Sequence, residues 1–232
     1  MQVSQKLAVG AGAFAGALLA TALALPAFGQ EIGVSSTRIA NADQEPANWL
    51  TVHQNYQGHR YSRLTEINRD TVGDLRLAFA VGIPGIADGG QLQGTPLVDS
   101  GFMYVTNAWG SVIKIDVRDG KRGKILWVMD PGVDVEVSAV HANRGATLWR
   151  DQVIVGTIDG RLISTSRETG EITWEQKIGT LVGEAFSGAP LMVNDKIIIG
   201  QSAGDWGTRG WVGGYDAGTG DLVWKTHTIP AP

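Results

Sequence analysis

Beyond residue 90 the chain falls into short runs of apolar, or alternating apolar and polar, positions, and the same order of runs recurs three times. Each unit opens on a brief apolar run that closes in a polar turn: PLVDSG at 96–101, ATLWRD at 146–151 and PLMVND at 190–195. A β-branched run follows, FMYVTN, QVIVGT or KIIIGQ. After a glycine-containing turn comes an alternating run, SVIKID, RLISTS or WVGGYD. The unit ends in a Thr-Gly-type turn and a segment closing on tryptophan: GKRGKILW to Trp127, RETGEITW to Trp174 and DAGTGDLVW to Trp224. These tryptophans stand 47 and 50 residues apart, and a degenerate copy, VGDLRLAF, ends at Phe79, 48 residues before Trp127. Period-two alternation with regular turn signals predicts antiparallel sheet. Four strands per unit at this spacing predicts an all-β chain of β-propeller blades. A large flat side chain at one fixed blade position suits the gap between neighbouring blades.

The N-terminus reads differently. One early base, Lys6, precedes a long run of small residues and leucines, then Pro26 and the small-residue pattern Ala27-Phe28-Gly29. This predicts a secretory signal peptide over 1–29, cleaved before Gln30, and a periplasmic protein. The remainder divides into a lead-in segment over 30–74 and a partial propeller over 75–232, with no helical periodicity in either.

Composition sharpens this picture. Glycine is abundant, 32 of 232 residues, and there are 8 tryptophans, as suits many short strands joined by tight turns. The formal net charge of −4 and the lack of a basic run point away from nucleic acid. Cysteine is absent, which excludes disulfides, thiolate metal sites and a cysteine nucleophile. One stretch stands out: GQSAGDWGTRGW at 200–211 packs small residues around a single acid, Asp205. Such a stretch serves either a tight hairpin or a close approach of backbone to a ligand. Arg209 is expected to bond a carboxylate or carbonyl, and Trp206 and Trp211 to pack between strands.

The blade ends TGEITW and TGDLVW, and the lead-in NWLTVHQNYQGHRYSRLTEINRDTVGDLRLAF, resemble quinoprotein alcohol dehydrogenases, enzymes that use pyrroloquinoline quinone (PQQ) and a divalent metal. The resemblance runs from about Asn48 to the last residue, with lead-in, blade and site motifs in the family's order. It implies about three blades of an eight-bladed propeller with the cofactor on the central axis. SAGDWGTRG resembles the family's inner-strand segment of three small residues and an acid. Ser202, Ala203 and Gly204 would then line PQQ, and Asp205 would ligate the metal. The family more often has glutamate there; aspartate keeps a hard oxygen ligand that suits Ca2+ or a lanthanide.

The resemblance carries three further residues. Arg144 in VHANRGATLW falls on a PQQ-binding arginine, the expected partner for a cofactor with three carboxylates. Ser187 in AFSGAPLMV replaces a PQQ-binding threonine and keeps the hydroxyl. Gln93 replaces a glutamate and keeps hydrogen-bonding capacity without charge. Where the family commonly has two adjacent cysteines, this chain has Ser138-Ala139. The family's catalytic base is an aspartate of a later blade, so no catalytic residue is carried over. Three blades leave apolar faces open, which predicts an N-terminal fragment, inactive alone, needing further blades or a complementing chain. The full mechanism implied is oxidation of an alcohol to an aldehyde by hydride transfer to the quinone, with cytochrome c as electron acceptor. The alternative is a cofactor-free propeller of the same repeat type, acting in protein binding or assembly.

Overall fold

The computed structural model describes residues 33–85, 90–134, 141–181 and 183–231. Segment 1–29, for which the sequence predicts a signal peptide, and the Ser138-Ala139 pair therefore lie outside the described residues. The strands are β1 (Gln91–Leu92), β2 (Leu97–Asp99), β3 (Phe102–Thr106), β4 (Val112–Asp116), β5 (Lys124–Met129), β6 (Ala142–Asn143), β7 (Thr147–Trp149), β8 (Gln152–Gly156), β9 (Arg161–Ser166), β10 (Ile172–Lys177), β11 (Leu191–Val193), β12 (Lys196–Gly200), β13 (Trp211–Asp216) and β14 (Leu222–His227). Three antiparallel meanders, β2–β5, β7–β10 and β11–β14, form the blades in the order that the repeat predicts. The short strands β1 and β6 pair in parallel.

Local chemistry explains the turns. The first hairpin of each blade has a two-residue loop, Ser100–Gly101, Arg150–Asp151 or Asn194–Asp195. Left-handed backbone occurs in all three, at Ser100, Gly101, Arg150, Asn194 and Asp195, the geometry that matches the right-handed twist of the flanking strands. In the fourth strand of every blade one residue bulges out of register just before the tryptophan. Trp127 pairs with Lys114 while Ile125 pairs with Ile115; the same slip occurs at Thr173 and at Val223. A bulge re-aims the side chain that follows it, here the repeated tryptophan.

The tryptophans dock one blade on the next. Trp127 Nε1 donates to Arg167 O at 3.2 Å, and Trp174 Nε1 donates to Ala217 O at 3.2 Å. Each ring covers a left-handed glycine of the following blade: a Cβ at Gly170 would come within 2.8 Å of Trp127, and one at Gly220 within 2.7 Å of the Trp174 ring. Gly220 has φ +76°. Gly220→Ala therefore combines left-handed strain with a clash and is expected to cost about 2–4 kcal/mol, measured by denaturant unfolding. Gly188→Ala, where a Cβ meets nothing within 4 Å, should change stability by less than about 1 kcal/mol. Trp224, the third copy, is 41% exposed beside exposed Leu222 and Val223.

The lead-in is more than an approach to the first blade. It forms a short helix, α1 (Ser36–Ala40), capped by Ser35, and crosses the first strands of all three blades. Trp49 bridges Val98 of β2, and Val34 bridges Arg150 after β7. Tyr56 Oη donates to Met192 O at 2.6 Å, and Asn194 N donates to Ser36 Oγ at 2.6 Å. Val34, Ile39 and Leu50 are fully buried within the cluster that holds Leu97, Leu148, Met192 and Trp211. The strap thus shares one core with the first strands of the three blades. It is pinned by charge as well. Arg38 donates to Asp99 Oδ1 at 3.0 Å, and Arg167 of the second blade donates to Asp99 Oδ2 at 2.5 Å. Burial alone would raise the Asp99 carboxyl, but the two guanidinium groups outweigh it and hold its pKa below the usual range.

Candidate functional site

An antiparallel four-stranded blade places two kinds of connection at one end: the loop from second to third strand, and the crossing from the fourth strand to the next blade. Six of the seven candidate residues lie in such connections, and Gln93 lies where the chain enters the first blade at that same end. Gln93 precedes β2, Arg144 lies between β6 and β7, Ser187 between β10 and β11, and Ser202–Asp205 between β12 and β13.

The parallel pairing of β1 with β6 sets Leu92 beside Asn143, so the next residues, Gln93 and Arg144, emerge side by side. Both line one cavity of about 280 Å³, with Val52, His53, Arg60, Thr95 and Ala189 completing its wall. No carboxylate stands in that wall. Gly145, φ +129°, lets the chain turn under the strap: a Cβ there would meet Val52 at 3.3 Å and Ala189 at 3.6 Å.

A chain of hydrogen bonds links the blades behind the cavity. Thr95 N donates to Arg144 O at 3.4 Å, Arg144 N to Ser187 O at 2.8 Å, and Ser187 N to Ser202 Oγ at 2.9 Å. Ser202 Oγ in turn donates to Ala185 O at 2.8 Å. The Arg144 guanidinium donates from Nη1 to Ser187 Oγ at 2.6 Å. Ser187 is almost fully buried, so its hydroxyl holds the guanidinium from behind and is absent from the cavity wall.

Glu184 fixes the loop that carries Ser187. Its carboxylate is buried and accepts from Trp211 Nε1 at 2.6 Å and from the backbone N–H of Thr180 and Leu181 at 2.6 and 3.0 Å. Burial pushes the carboxyl up, but these donors prevail and lower its pKa.

The small-residue stretch departs from expectation. It is a loop closed by a 3-10 turn, Gly204–Trp206, between β12 and β13, rather than part of an inner strand. Gly204, Gly207 and Gly210 interrupt extended structure, and Gly207 ends the turn at φ +83°. The corresponding loops of the other blades span only Asn107–Ser111 and Thr157–Gly160. Ala203 is buried against Ile158 and Ala185, while Gly204 and Asp205 are exposed on the turn. Among the described residues no three acidic or histidine side chains converge on one point. Arg209 bonds a carbonyl as expected, Ile229 O at 2.8 Å. Trp211 packs in the core at 2% exposure, but Trp206 stands out at 62% because it rides on the turn and not on a strand.

Sequence reasoning missed the strap's share of the wall, Val52, His53 and Arg60. The only signal was their place in the lead-in motif, because their proximity to Gln93 depends on the Trp49–Val98 bridge.

The family model described as glucose/ethanol/alcohol dehydrogenase, beta-propeller domain, with PQQ as its short name, matches residues 49–232. The dehydrogenase subunit of alcohol dehydrogenase (quinone) from Gluconacetobacter polyoxogenes is 36% identical over 211 residues, covering 86% of this chain and 28% of that protein. The structure of quinohemoprotein alcohol dehydrogenase ADHIIG from Pseudomonas putida superposes with a TM-score of 0.80 at 33% identity, over 86% of this chain and 29% of that one. A europium-containing methanol dehydrogenase gives 0.76 at 32% identity, over 84% of this chain and 34% of the other. The chain thus spans about a third or less of the length of these relatives.

Proposed function

The chain belongs to the PQQ-dependent alcohol dehydrogenase family, and from that membership we infer that it supplies the N-terminal blades and part of the PQQ site of a periplasmic alcohol dehydrogenase. The observation that carries this reading is the cavity that Gln93 and Arg144 line, whose charged side chains are all cationic. PQQ bears three carboxylates, and the donors present suit them: a guanidinium fork and an amide, with Thr95 beside them. When bound, PQQ would supply the two-electron acceptor chemistry that turns an alcohol into an aldehyde, the alcohol giving up a hydride from carbon and a proton from oxygen.

This chain's residues bind and orient. Arg144 holds a carboxylate, and Ser187 fixes the angle of the guanidinium. Gln93 offers an amide beside it, and Ser202 ties the third blade to the second. Asp205 enters as one oxygen ligand for Ca2+ or a lanthanide, the latter suggested by the europium-containing neighbour. Asp205 stands on an exposed turn and would supply one of the several oxygens such an ion takes. The electron acceptor in this reading is a cytochrome c, in keeping with the quinohemoprotein relatives. The exposed Trp224 face supports a requirement for further blades or a complementing chain, since Trp127 and Trp174 each have a blade to cover.

Equilibrium dialysis of the mature chain against PQQ, with Ca2+ or a lanthanide, tests the reading. Saturable one-to-one retention, competed by excess PQQ, is expected. No retention under either metal would sink the cofactor reading and favour the scaffold.

A further inference from the structure

We propose that Arg60, aligned by His53, is a second guanidinium clamp for the cofactor's carboxylates, so that the lead-in strap forms part of the binding site itself. This rests on the PQQ reading above and extends it to residues of the strap.

Two arginines, Arg60 and Arg144, share one cavity of about 280 Å³. Neither forms an ion pair with a carboxylate among the described residues, whereas Arg38, Arg161 and Arg167 all do. Two guanidinium groups facing one small space without a counter-charge repel each other. An anion with carboxylates on separate edges removes that repulsion and gains a fork at each end.

The strap holds Arg60 as a site residue is held. Its backbone is left-handed, φ +53°, as are Gln54 at +75° and Gly58 at +70°, so the segment curls back on itself. Arg60 Nε then donates to His53 Nδ1 at 3.0 Å. A guanidinium can only donate, so His53 Nδ1 is the acceptor of this bond, and the terminal nitrogens of Arg60 stay available for a ligand. The loop is anchored on the N-terminal side of Arg60. Trp49 bridges Val98, and Tyr56 bonds Met192 O. Asn55 and Gln54 both reach Asp43 Oδ1 at 3.3 Å. Such anchoring lowers the ordering cost of binding.

The test is PQQ titration by quenching of tryptophan fluorescence, on the full chain and its variants, at two salt concentrations. Arg60→Ala should weaken binding about tenfold and reduce the salt dependence, with Arg60→Glu weaker still. His53→Leu should weaken it about threefold, and His53→Asn, whose Oδ1 can replace the Nδ1 acceptor, should recover most of that loss. Each variant's unfolding midpoint without PQQ should match the parent, because Arg60 is exposed. If the parent binds PQQ and Arg144→Ala weakens it while Arg60→Ala does not, the clamp is overturned and the cofactor reading stands. If the parent does not bind PQQ, both fall. Equal losses in His53→Asn and His53→Leu would overturn the positioning role of His53.

Discussion

Asp99→Ala should be the most damaging single change in the described fold, lowering unfolding free energy by about 3–5 kcal/mol. Asp99 is 4% exposed and accepts from Arg38 of the strap and Arg167 of the second blade. Its removal leaves Arg167 without its carboxylate, and Arg38 with Glu45 alone, where strap, first blade and second blade meet. Arg167 also reaches Tyr104 Oη at 3.1 Å and Arg150 O at 2.9 Å, so its displacement spreads. Asp99→Asn keeps an acceptor but no charge and should lose roughly half as much. The effect should depend on pH in one direction. The folded-state pKa of Asp99 is depressed, so its contribution is complete above the unfolded value near 4 and is lost as pH falls through the folded value. The gap between parent and Asp99→Ala, measured by urea unfolding, should therefore be largest at neutral pH and shrink below about pH 4. A gap that stayed constant into acid would show that packing, not charge, makes the junction.

Arg144→Ala should weaken PQQ binding by up to about a hundredfold, as expected when a charge-assisted, two-pronged partner of a carboxylate is removed. Lysine at this position keeps the charge but loses the fork and should recover only part of the affinity. Ser187→Ala should cost less, about fivefold, because its hydroxyl acts through the guanidinium that it bonds at 2.6 Å. The double variant separates the two roles. If Ser187 only orients Arg144, its loss should add little in the Arg144→Ala background. If it touches the cofactor directly, as the family resemblance implies, the losses should add. Fluorescence titration of the four proteins decides between them, and full additivity would refute the positioning role.

Blade count, strand order and turn positions were legible in the sequence because each depends on neighbours along the chain. FMYVTN, SVIKID and KIIIGQ alternate or branch as strands must, and the polar dipeptides between them could only be turns. The period of the tryptophans announced blades before any coordinate did. Four features were decided by tertiary structure alone. The bulge before each tryptophan arises from pairing across two strands, so ILW, ITW and LVW carry no local mark of it. The strap's course depends on bridges over long separations, such as Trp49 to Val98 and Val34 to Arg150. Ala203 and Ser202 read alike as small residues, yet one fills the core and the other ties two blades. Arg60 and Arg144, 84 positions apart, share a cavity only because inter-blade closure brings their loops to the same end. Periodicity is a local property and is written in order along the chain; convergence of loops is set by how whole blades pack, and no short window contains it.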